Sequence, residues 1–98
     1  PLDYSALSIG EYYYTLGQKE KGHNILKAIG DDSMRNLNWY FRLNPKQFAS
    51  VADDLNTNLY VLQEIINITK DKDPELMNQY KEEFDNFRMA LSSLQPKE

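Results

Sequence analysis

The chain has 98 residues, 41% hydrophobic and 27% charged, with a net charge of −4 and no cysteine. That length supports one domain (residues 1–98) around one modest core, and the balance is globular rather than disordered. The lack of cysteine excludes disulfides, zinc ribbons and thiol chemistry, and is in keeping with the cytoplasm.

No apolar run nears the roughly 18 residues of a membrane span; Leu59-Tyr60-Val61-Leu62 is among the longest. No basic-then-apolar leader is visible, so neither a membrane association nor a signal peptide is expected. Charge is uneven along the chain. Residues 1–48 hold six Lys/Arg against five Asp/Glu, and residues 49–98 hold five against ten. The acidic half is a poor phosphate-binding surface, because nucleic-acid affinity rests on cations that neutralise phosphates.

The punctuation predicts helices throughout. Ser8-Ile9-Gly10-Glu11 has the spacing of a capping box, with Leu7 and Tyr12 at the hydrophobic-staple positions. A helix is therefore expected over about 9–29, with Gly17 and Gly22 as points where it could split. Ile25, Leu26 and Ile29 end its apolar stripe, and Gly30 reads as a helix C-terminal glycine. Asp31 or Asp32 then caps a second helix over about 32–43, marked by Met34, Leu37, Tyr40 and Phe41. Asn44-Pro45 and Asp73-Pro74 each read as a cap followed by a first-turn proline. They open helices over about 45–68 and 74–93. Phe48, Val51, Ala52, Leu55, Leu59, Leu62, Ile66 and Thr69 follow the face of the former. Leu76, Tyr80, Phe84, Phe87, Leu91 and Leu94 follow the latter. No segment alternates like a half-buried strand. The expected fold is all-α, a compact bundle of four helices, or five if the first splits.

Residues 50–65 resemble the helix-turn-helix of bacterial and phage repressors. Ala52 stands where that motif has a small residue at the helix crossing, with Leu55 three positions later. Asn56 stands at the turn, where the motif usually has glycine, and Leu62 and Ile65 close the core. Asn56-Thr57-Asn58 are poor helix formers, which favours a break there. The resemblance implies DNA reading through residues 57–66, with Thr57, Asn58, Tyr60 and Gln63 as the reading side chains. Against it, no cation lies between Lys46 and Lys70, while Asp53, Asp54 and Glu64 would repel phosphates. The other reading of the same residues is one uninterrupted helix from Pro45 to Ile68, which accounts for Leu59.

Other chemistry finds little support. Asp71, Asp73, Glu75 and Glu82 match the offsets of a calcium loop, but Leu76 occupies the glycine position and Pro74 starts a helix inside it. His23 is the only histidine, too few for a zinc-type site. No strained turn surrounds a serine, and no glycine-rich phosphate loop exists. No enzyme, metal or cofactor is expected.

The aromatic triplets are the most informative remaining feature. Tyr12-Tyr13-Tyr14 and Trp39-Tyr40-Phe41 are each consecutive. Three consecutive helical positions span about 200° of circumference, wider than one core-facing stripe. Boundary tyrosines widening a thin core would account for them, as would a partner surface. Tyr12, Tyr13, Tyr14, Trp39 and Tyr40 are the candidate anchors. The leading expectation is a non-enzymatic interaction module: a bacterial or phage accessory factor, inhibitor or adaptor that binds a protein partner or itself as a homodimer. The alternative is a helix-turn-helix transcriptional regulator.

Overall fold

Gly17 is where the first long helical stretch breaks. In the computed structural model, which describes residues 4–94, it takes φ +77°, a conformation that costs glycine little. The Gly17 amide donates to the Tyr14 carbonyl at 3.0 Å and the Gln18 amide to the Tyr13 carbonyl at 2.8 Å. That pair of bonds is the Schellman ending, and it turns helix α1 (Tyr4–Thr15) back into helix α2 (Lys19–Tyr40). The expected start at Ser8 is therefore corrected. Ser8 and Glu11 both lie inside α1, and of the proposed staple pair Leu7 is buried while Tyr12 is exposed.

The expected stop at Gly30 is also corrected. Helix α2 continues through Gly30, Asp31 and Asp32 for 22 residues. Gly30 serves a different purpose: a Cβ there would overlap the ring of Tyr80. The missing side chain lets the fifth helix approach, and the Tyr80 hydroxyl then donates to Lys27 O at 2.9 Å and Asp31 Oδ1 at 2.7 Å.

Asn44 opens the short helix α3 (Pro45–Ser50) with a complete capping box. Its side chain accepts from the Gln47 amide at 2.9 Å, and its own amide donates to Gln47 Oε1 at 3.3 Å. The chain kinks at Val51 (φ −108°, ψ 15°) and enters helix α4 (Ala52–Thr69). The stretch 45–68 is thus two helices, but the break lies at Val51 rather than at Asn56–Asn58. Asn56 keeps helical geometry, and no described non-glycine residue has positive φ. Asp73 caps helix α5 (Pro74–Ser93) through the Leu76 amide, as its sequence position suggests.

The five described helices form an all-α bundle of 48 × 23 × 19 Å. Two hairpins, α1–α2 and α4–α5, pack through α2 against α4. Both hairpin turns lie at one end, where Tyr14 meets Asp73. At the other end Phe41 stacks on Phe87 (5.6 Å between ring centres) and meets Phe48 at 5.4 Å, which seats α3. Leu26, Leu37, Leu62, Ile65 and Leu76 are fully buried in the core between the helices. Helix α1 has 12 residues against 22 in α2, about 18 Å against about 33 Å, so it covers only part of its partner. None of the described helices is long and apolar enough to cross a membrane.

Candidate interaction surface

The two aromatic triplets divide between core and surface. Tyr12 is 60% exposed, and Tyr13 is half-buried with the Lys21 ammonium 5.6 Å from its ring centre. Tyr14 is buried, so as a surface anchor it is corrected: its ring fills the core between the hairpins. Trp39 is 57% exposed and meets half-buried Tyr40 edge-on at 5.9 Å.

Helix α1 has an apolar face turned to solvent. Ile9, Tyr12 and Leu16 are all exposed, spaced i, i+3 and i+7. At 100° per residue they fall within about 60° of one another, on the side away from buried Leu7, Gly10 and Tyr14. An amphipathic helix ordinarily turns one such stripe to its own core. Helix α1 has two, and the second is unpartnered among the described residues.

Beside that stripe runs an open groove between α1 and α4 of about 500 Å³, lined by Leu7, Ser8, Glu11, Tyr60, Glu64, Asn67 and Ile68. Its floor is apolar, from Leu7 and Ile68. Its walls carry two carboxylates and no cation. Glu64 accepts from the Tyr60 hydroxyl at 2.7 Å. The described lysine and arginine ion pairs lie elsewhere: Lys27–Asp31, Arg35–Asp32 and Lys81–Asp85.

The residues proposed for DNA reading do not form a reading face. Asn58 is 3% exposed, and its amide donates to Asp54 O at 2.8 Å and to the Tyr40 hydroxyl at 3.5 Å. Its Oδ1 accepts from Asn36 at 3.2 Å. A side chain so engaged has no atom free for a base edge. Thr57 is half-buried, Tyr60 borders the groove, and Gln63 donates to Asn67 on the helix surface.

The polar interior is where the sequence was least informative. Asp73 is 1% exposed, and its Oδ2 accepts from the Tyr14 hydroxyl and from His23 Nδ1–H, each at 2.7 Å. Burial works to raise its carboxyl, but the bonds from Tyr14, His23 and the Leu76 amide outweigh it and hold it below the usual range. Burial, reinforced by the adjacent Asp73 carboxylate, pushes the Tyr14 hydroxyl well above the ordinary tyrosine range. Asp73 reads in sequence as a helix cap; nothing local marks it as the junction of three helices. Asp31 behaves similarly. Burial opposes ionisation, and bonds from Tyr80 and Lys27 reverse the balance. These clusters spend their donors on one another, which suits tying helices together. No group of three or more metal-ligating side chains occurs among the described residues.

Comparison with family models, with curated proteins and with solved structures gives no match to this chain.

Proposed function

We propose that this chain is a non-enzymatic protein–protein interaction module that docks a partner on the outer face of α1. The observation that carries this reading is the Ile9–Tyr12–Leu16 stripe, an exposed apolar helix face beside an open groove. Exposed apolar surface that is contiguous, and not merely scattered, marks interaction sites. Tyrosine contributes strongly to such interfaces because its ring buries a large area with few rotamers to freeze. Trp39, exposed at the far end of α2, is a second anchor on the same reading. The role fits an accessory or adaptor factor.

The test is affinity capture from the native host with wild type, Tyr12→Ala, Leu16→Ala and Trp39→Ala. Both α1 variants are expected to lose a captured protein while circular dichroism stays helical. If captured proteins are the same for wild type and both α1 variants, the reading fails.

A further inference from the structure

Resting on the docking role of α1, we infer that the groove between α1 and α4 takes an amphipathic helix of a partner protein, with an apolar stripe flanked by Lys or Arg. Three features of the groove select that occupant.

The first is its shape. Two helices line it, and the described chain has no strand and so no sheet edge for an extended peptide to join. A helix laid between α1 and α4 can set side chains at i, i+3 and i+4 against the two ridges. The second is its layering. Leu7 and Ile68 make an apolar floor, while Ser8, Glu11, Glu64 and Asn67 form polar walls. An occupant must therefore be apolar along its centre and polar along both flanks, which is the pattern of an amphipathic helix. The third is charge. Glu11 and Glu64 stand on opposite walls, on α1 and α4, and no described cation pairs with either. Helix α1 contributes no Lys or Arg at all, and the whole chain carries −4. Cations on the partner's flanks would meet both carboxylates, and acidic flanks would be repelled.

The same charges argue against a second copy as the occupant. A two-fold contact presents the same patch from both subunits. Here it would bring the Glu11 and Glu64 carboxylates of one copy against those of the other, with no cation of the groove between them. Tyr12 stands on α1 between the groove and the outward Ile9 and Leu16, so a helix seated in the groove also covers part of the exposed stripe.

The experiment uses the full 98-residue chain and three alanine-based helical peptides of about 18 residues, long enough to hold helix. One has a leucine stripe with lysine flanks, one the same stripe with glutamate flanks, and one lysine flanks with serine in place of leucine. Amide chemical shifts are followed by NMR during titration. The Leu/Lys peptide is expected to move the signals of Leu7, Glu11, Tyr12, Glu64 and Ile68. It should bind about fivefold or more tightly than the Leu/Glu peptide, the scale of two exposed ion pairs. The double variant Glu11→Gln/Glu64→Gln should erase that preference, and the Ser/Lys peptide should leave the groove signals in place.

The inference is overturned if the Leu/Glu peptide binds equally well, or if the shifts map away from the groove. It is also overturned if no peptide binds, or if light scattering shows a dimer that Tyr12→Ala dissociates, making a second copy the occupant. The docking role of α1 is judged separately, by partner capture with the Tyr12 and Leu16 variants, so the failure of one idea is distinguishable from failure of the other.

Discussion

The Tyr14 hydroxyl donates to Asp73 Oδ2 at 2.7 Å across 59 residues of chain, and this bond joins the α1–α2 hairpin to the turn of the α4–α5 hairpin. His23 donates to the same oxygen from the first turns of α2. One carboxylate thereby holds three elements while also capping α5. Its burial leaves it no solvent to fall back on if a donor is lost.

Tyr14→Phe deletes one donor and is expected to cost about 1–2 kcal/mol in urea unfolding. Asp73→Ala removes the cap and leaves two side-chain donors without their acceptor, for about 2–4 kcal/mol. A double-mutant cycle should show coupling of about 1 kcal/mol or more. Additive costs would mean that the bond contributes nothing beyond each side chain alone.

Stability should fall in acid in a defined window. Asp73 and Asp31 both ionise more readily in the fold than at their ordinary value of 3.8. Their folded values are lowered, so their contribution is complete above that value and is lost as pH falls through the lower, folded values. Asp73→Asn should flatten the acid limb of the stability profile. The tyrosines act with opposite sign. Burial and a neighbouring carboxylate raise Tyr14 and Tyr80, whose ordinary value is 10.0. Their contribution is intact below that value and is lost as pH rises beyond it. Tyrosinate absorbance from these two should therefore appear only with alkaline unfolding, and Tyr80→Phe should remove part of that late signal.

Gly30→Ala would ordinarily stabilise a helix by about 1 kcal/mol. Here the new methyl meets the Tyr80 ring, which is buried and hydrogen-bonded at its hydroxyl. The expected net result is destabilisation of about 1–3 kcal/mol. A gain in melting temperature would show that α5 does not sit this close to α2.

Asn58→Ala tests the buried amide cluster. It orphans Asn36 and the Tyr40 hydroxyl at the α2–α4 contact and is expected to cost about 1–3 kcal/mol. Gln63→Ala, on the surface of the same helix, should stay within about 0.5 kcal/mol. Equal effects would contradict the inward placement of Asn58.

How much of this was legible depended on how far away the deciding partner lies. Asn44-Pro45 and Asp73-Pro74 read correctly because a cap is settled by residues three positions on. Gly17 and Gly30 look alike in sequence. The first is a turn because its own backbone bends; the second is an open seat for Tyr80, which is 50 positions away. Ser8-Glu11 had the letters of a capping box but not its place, because α1 starts earlier. Asn56-Thr57-Asn58 had weak helix propensity, and tertiary bonds to Asn36 and Tyr40 overrode it. Asn58 did carry a signal: it lies three after Leu55 and four before Leu62, on the buried stripe. The tyrosine triplet implied that one ring must face out, while the choice of Tyr12 over Tyr14 was made by Asp73, far along the chain.

The central claim, that the outer face of α1 is a docking surface, is tested most directly by site-specific photo-crosslinking in the native host. A benzophenone side chain replaces Tyr12 in one variant and Asn86, exposed on α5, in another. The account predicts a discrete adduct of defined mass from position 12, absent from position 86 and lost when Leu16→Ala is added. No adduct from position 12, or the same adducts from both positions, would contradict it.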